Sequence, residues 1–109
     1  MQLYEITLPL ADNSGRPYSS AHAEYRAWLS RAFGGYTAYQ VEGVWEGQAE
    51  RNCVYRIASD NLDTLAQLRG RAAFRFTDQL AFFVACIGSA WVVDGPAAHE
   101  KSVRQHLFT

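Results

Sequence analysis

The stretch Gln79–Asp94, QLAFFVACIGSAWVVD, constrains this chain more than any other. Leu80 to Ile87 is apolar without a break, Gly88-Ser89 interrupts, and Ala90–Val93 is apolar again. A short run rich in Phe and Val, closed by a turn pair, fits a buried strand better than a helix of ordinary length. The return through Gly88-Ser89 predicts a β-hairpin. Its first strand is apolar on both faces: Leu80, Phe82, Val84 and Cys86 point one way, and Ala81, Phe83, Ala85 and Ile87 the other. A two-layer sheet needs one apolar face. Something else must cover the second.

The rest of the chain supplies the elements around this hairpin. Leu3–Leu8 alternates, with Tyr4, Ile6 and Leu8 on one face and Glu5 and Thr7 on the other, and Pro9 stops it. Ala11–Ser20, ADNSGRPYSS, is turn chemistry ending in two serines, either able to cap a helix. That helix is predicted over Ser20–Phe33. Ala21, Tyr25, Trp28, Leu29, Ala32 and Phe33 form its apolar stripe, and Gly34-Gly35 ends it. Tyr36–Glu46 is the next strand, with Tyr39, Val41, Gly43 and Trp45 on one face and Gln40 and Glu42 on the other. Gly43 in mid-strand signals a bulge or a close approach. Gly47–Glu50 reads as a hairpin loop. Asn52–Ala58 pairs back, with Cys53, Tyr55 and Ile57 facing one way and Val54 and Arg56 the other. A second helix, capped by Asp60 or Asn61, runs to about Ala73 along Leu62, Leu65, Leu68 and Ala72; Gly70 weakens its C-terminal half.

Strand, helix, strand, strand, helix, strand, plus one extra C-terminal strand, is a split βαβ repeat. It predicts an α+β fold, the ferredoxin-like sandwich, with an antiparallel sheet and both helices on one face. Residues 1–96 make one domain and 97–109 a tail, either a short helix or a frayed end. The spare apolar residues of the last hairpin then fall on the open face, which a second subunit, a ligand or the tail must close. Phe33-Gly34-Gly35-Tyr36-Thr37 followed by Gly43-Val44-Trp45 resembles a pattern in small uncharacterised bacterial and phage proteins of ferredoxin-like fold. The resemblance implies the fold and carries no chemistry.

Several functions are disfavoured by what the chain lacks. Ten basic and eleven acidic residues leave a net charge of −1, which argues against a general polyanion binder. No apolar run approaches the roughly 18 residues of a membrane span, and MQLYEITLPL does not read as a signal peptide. Cys53 and Cys86, the only cysteines, sit among apolar neighbours, read as buried free thiols and suit a reducing cytoplasm. In the predicted strand order they flank the first strand on opposite sides, about 9–10 Å apart and beyond disulfide reach. His99 and His106 lie two helical turns apart, and His22 and Glu24 face different ways, so no metal set forms and surface histidines are the plain reading. No nucleophile has a base beside it, and no cofactor motif is present. Gly34-Gly35 follows a helix, whereas a phosphate loop precedes one. RGRAAFRF, Arg69–Phe76, mixes arginines with aromatics as RNA binders do, but basic residues also complement a helix C-terminus with no partner at all.

The constellation that stands out is aromatic. Tyr39, Trp45, Tyr55, Phe83 (or Phe82) and Trp91 can all reach one sheet surface, with Arg56 or Glu42 as an orienting charge and His22 at the edge. The plainer reading is that the rings are core beneath the helices or the centre of a dimer interface, since a one-residue slip inverts a strand's faces. With no catalytic arrangement beside them, they favour a non-enzymatic binding or interaction module, homodimeric through the open apolar face. The alternative is a small-molecule binder or cofactor-free enzyme of the dimeric α/β-barrel kind, enclosing a small apolar ligand. A nucleic-acid binder using Arg69–Arg75 stands third.

Overall fold

A computed structural model of the chain describes residues 1–79, 81–91 and 93–97. The elements are β1 (Gln2–Pro9), α1 (Ser19–Phe33), β2 (Thr37–Trp45), β3 (Gln48–Ser59), α2 (Thr64–Ala73) and β4 (Phe83–Ser89). The strands lie in the order β2-β3-β1-β4, each neighbouring pair antiparallel. Both helices pack on one face. Tyr4, Ile6 and Leu8 of β1 and Cys53, Tyr55 and Ile57 of β3 meet Ala21, Tyr25 and Leu29 of α1 and Leu68 and Ala72 of α2, with Phe76 closing the end. This is the ferredoxin-like α+β sandwich that the element order predicts. Among the described residues, no helix is long and apolar enough to cross a membrane.

Local signals set most boundaries. Gly34 ends α1 in the left-handed conformation at φ 82°, its N–H donating to the Ser30 carbonyl at 3.0 Å. The serines expected to cap α1 instead lie in its first turn. Tyr18 holds the N-cap position without a side-chain cap, and Ser20 Oγ accepts from Arg75 of the loop after α2. Asn61 likewise does not cap α2. It shapes the turn before it, its side chain accepting from the Asp63 N–H at 2.9 Å and its carbonyl from the Thr64 hydroxyl at 2.6 Å. Between β1 and α1, Asp78 latches the loop, taking the Asn13 N–H on Oδ2 at 2.7 Å and the Tyr18 hydroxyl on Oδ1.

Two predicted turns are corrected. The β2–β3 loop is not Gly47–Glu50 but the pair Glu46-Gly47, at φ 49° and 78°, between the rungs Trp45↔Gln48 and Val44↔Ala49. Two left-handed residues match the right-handed twist of a hairpin, so the strands run to the very end. Gly88-Ser89 is not a turn at all. Gly88 pairs with Leu3, Ser89 with Gln2 and Cys86 with Tyr4, leaving Ile87 as the extra residue of a bulge. Gly88, at φ 142°, absorbs the register shift and lets β4 continue. The chain then leaves the sheet as the Ala90 N–H donates to the Met1 carbonyl at 2.9 Å. Ala90, Trp91 and Val93 join no strand, so the extra C-terminal strand is not formed among the described residues, which hold four. Leu80, Val92 and the tail beyond Ala97, with His99 and His106, lie outside them.

Cys53 and Cys86 are free, on strands either side of β1 as the order requires, facing Leu8 and Tyr4 respectively. Cys53 is buried. Cys86, expected to be buried as well, is exposed on edge strand β4, which has a neighbour on one side only.

Candidate functional site

Strand alternation fixes what the open face presents. The rungs Glu5↔Arg56, Thr7↔Val54, Tyr39↔Val54 and Val41↔Asn52 put these side chains away from the helices, since their neighbours Ile6 and Tyr55 point into the core. Glu5↔Ala85 and Thr7↔Phe83 extend the face onto β4, and Gly43 and Trp45 carry it outward along β2.

Its centre is a neutralised charge cluster. Glu5 Oε1 accepts from the Tyr39 hydroxyl at 2.9 Å and from Arg56 Nε at 2.7 Å, with Arg56 Nη2 at 2.6 Å. The Arg56 guanidinium also lies 5.7 Å from the Tyr39 ring centre. Hydrogen bonding to Glu5 raises the Tyr39 phenol above its ordinary pKa. Beside the cluster stands Phe83, 73 % exposed, while Trp45, 66 % exposed, lies at the far end of β2, about 20 Å from Tyr39 at some 3.3 Å per residue. Val54 is covered between its strand neighbours. At Gly43 a Cβ would stand 3.0 Å from Asn52 Nδ2, which is the close approach its position signals. The β2–β3 register is unbroken, so there is no bulge there.

Beyond Pro9↔Asn52 strand β3 has no β1 partner. The Arg51 carbonyl still takes the Leu10 N–H at 3.0 Å, and beyond it Gly43–Trp45 and Gln48–Glu50 project as a two-stranded arm, roughly 10 Å long at about 3.3 Å per residue. Trp45 and Val44 are exposed on it.

The seven residues singled out in the sequence do not share one surface. Tyr39, Trp45, Arg56 and Phe83 lie on the open side. Trp91 follows β4 and is 80 % exposed. Tyr55 and His22 are corrected. Tyr55 alternates with Arg56 and so faces the helices, while His22, expected at the surface, is 4 % exposed beneath α1. Neither can line a cavity on the open face. They form instead a buried hydrogen-bond chain. The Pro9 carbonyl can only accept, so His22 Nε2–H donates to it at 2.8 Å and Nδ1 takes the Tyr55 hydroxyl proton at 2.6 Å. Arg26 Nε–H donates in turn to Tyr55 Oη at 3.1 Å. Burial, seconded by the Arg26 charge, lowers the His22 pKa against the opposing pull of Pro9. Burial likewise raises the Tyr55 hydroxyl. A neutral imidazole with both nitrogens engaged is structural chemistry, with no proton to spare for a substrate.

Glu5 was not among the residues singled out, although it organises the face. Its signal was the apposition to Arg56, legible only once the β1–β3 register is known. The arginines of Arg69–Arg75 are partly committed within the fold: Arg75 pairs with Glu24, and Arg71 lies over the Trp28 ring.

No family model and no curated protein matches the chain. Among solved structures it is similar to the PII-like protein CutA from Nostoc sp. PCC 7120 in apo form. The two share 15 % identity with a TM-score of 0.50, over 95 % of this chain and 91 % of that one. Likeness at that identity bears on the fold alone.

Proposed function

We propose that this protein is a non-enzymatic interaction module that works as a homodimer, two copies meeting through the open face of the sheet. The observation that carries this reading is the composition of that face: exposed Phe83 lies beside charges already neutralised by one another, and the half-covered Val41 and exposed Trp45 continue the apolar surface along β2. Burying an unpaired charge is expensive, whereas Glu5 arrives with its donors in place. Four strands about 4.8 Å apart and seven to twelve residues long give a face of roughly 19 by 25 Å, about 475 Å² in projection, so the arm must join the contact to reach the roughly 800 Å² per partner of a standard interface. The arm argues the same way, because a lone two-stranded hairpin is marginal in water and gains from a surface to lie on. The free thiols Cys53 and Cys86 suit a reducing compartment such as the cytoplasm.

The test is solution mass by light scattering across a dilution series. The expected result is a mass near twice 12.2 kDa for the unaltered chain and 12.2 kDa for Phe83→Asp. Monomeric mass at every concentration, or a dimer indifferent to Phe83→Asp, would overturn the reading.

A further inference from the structure

On the helix layer, away from the open face, a groove of about 390 Å³ runs between the end of α1 and the middle of α2. That volume lies at the lower end of small-molecule sites. Its lining is chemically lopsided. Trp28, Phe33 and Phe74 supply rings, Ser59, Asn61 and Gln67 supply polar groups, and Arg71 is the single charge, with no acidic residue among the lining.

Three features of this groove suit a ligand, although Arg71 also complements the C-terminus of α2. First, Arg71 has no carboxylate partner among the described residues, its guanidinium lying over Trp28 at 5.7 Å from the ring centre. Arg75, one turn on, is by contrast bound to Glu24 and Ser20. Second, Phe74 is 77 % exposed where it closes the groove, two residues from the buried Phe76. Third, Gly70 sits inside α2 and costs the helix about 1 kcal/mol relative to alanine. Nothing in its surroundings requires a glycine. Its φ is not left-handed, and a Cβ would meet no atom within 4 Å. What a side chain at Gly70 would occupy is the groove itself.

We propose that this groove binds a planar aromatic carboxylate, its ring against Trp28 and Phe74 and its carboxylate on Arg71. A guanidinium held on an indole face presents its N–H fork with little entropy left to lose, which is the geometry that carboxylates match. The Gln67 amide stands on the same rim as a further donor. Gly70 is then the residue that keeps the floor open.

The experiment uses the full chain labelled with ¹⁵N and titrated with 2-naphthoate, with neutral 2-naphthamide as the isosteric control. The indole N–H signal of Trp28 is followed beside those of Trp45 and Trp91. The expected result is saturable shifts at Trp28 with naphthoate and binding weaker by roughly tenfold or more with naphthamide. Gly70→Leu should abolish binding by filling the groove while leaving a better helix former in α2. Arg71→Gln should reduce naphthoate to the affinity of the amide. No saturable shift at millimolar naphthoate, equal binding of acid and amide, shifts centred on Trp45, or binding that survives Gly70→Leu would each overturn the proposal. The groove and the open face lie on opposite sides of the sheet, so the naphthoate result and the dimer result fail or succeed separately.

Discussion

The two faces of one sheet solve opposite problems with alternate residues of the same strands. On the helix side, Ile6, Leu8, Tyr55 and Ile57 are sealed by Tyr25, Leu29, Leu68 and Phe76. The polar groups admitted there, His22, Tyr55 and Thr64, satisfy one another or a backbone carbonyl. On the open side, Thr7, Arg56 and Tyr39 hold the same stretch of backbone, yet no described helix covers them, and Val54 is screened only by its strand neighbours. Charge there is handled by pairing Glu5 with Arg56 and Tyr39 at the surface. The difference separates two duties. Stability is vested in one face, and the other is free to meet a partner because the fold does not depend on it.

Neighbouring residues of β1 give the sharpest test of that separation. Ile6 is fully buried on the helix side, and Ile6→Ala should cost about 3 kcal/mol through lost transfer energy and the cavity left behind. Thr7→Ala, one residue on and facing outward, should cost less than about 0.5 kcal/mol. Both are read from urea denaturation in the Phe83→Asp background, where self-association does not add to stability. Comparable losses at the two positions would erase the distinction between the faces.

The tyrosines repeat the comparison with hydroxyls. Tyr55→Phe removes the proton that His22 Nδ1 accepts and the oxygen that Arg26 donates to, leaving buried groups unpaired, and should cost about 1–2 kcal/mol. Tyr39→Phe breaks an exposed bond to Glu5, which water and Arg56 can replace, and should fall within about 0.5 kcal/mol. The helix side also carries a pH dependence. His22 has a depressed pKa in the fold, so the unfolded chain takes up the imidazole proton first. Stability is therefore full above about pH 6.5 and declines as the pH falls from there toward the depressed value. Asp78, held low by the Asn13 N–H and the Tyr18 hydroxyl, adds a separate loss only below its ordinary value of 3.8. Melting temperatures between about pH 7.5 and 5 should fall for the unaltered chain and flatten for His22→Gln. A melting temperature that rises on acidification would mean that His22 is stabilised in its charged form, against the hydrogen bonds drawn here.

How much of this was legible beforehand depends on how far each signal reaches along the chain. Periodicity is local, so the alternation of β1, the stripe of α1 and the Gly34 stop read directly from the residues, and with them the order of elements and the fold. Which strand face looks outward could also be read, because Cys53, Tyr55 and Ile57 are the more apolar set and Arg56 cannot join them. That parity already set Tyr55 apart from Arg56; grouping both in one aromatic site overrode it. His22 was misplaced because its burial depends on two acceptors, Pro9 and Tyr55, that no local pattern connects to it. Gly88 deceived for another reason. A glycine before a polar residue is equally the mark of a turn and of a bulge, and only pairing with Leu3 distinguishes them. Glu5 needed the same long-range register to be seen as the partner of Arg56.

Two glycines, one on each side of the sheet, weigh the faces by effects of at most about 1 kcal/mol. Gly70 meets nothing, so Gly70→Ala should stabilise the chain by about 0.5–1 kcal/mol, the ordinary return for removing a glycine from a helix. Gly43→Ala should gain a similar amount from strand propensity and lose most of it again. Its Cβ must displace Asn52 Nδ2 from 3.0 Å, and Asn52 is covered, as are Cys53 and Val54 beside it. The net change at Gly43 should stay within about 0.5 kcal/mol, measured as a shift in the urea midpoint with unchanged slope. A loss well beyond that would mean that Asn52 cannot yield, and that the open face is packed as rigidly near the arm as the core is beneath the helices. The face would then be a preformed surface along its whole length, and a partner would have to fit it as it stands.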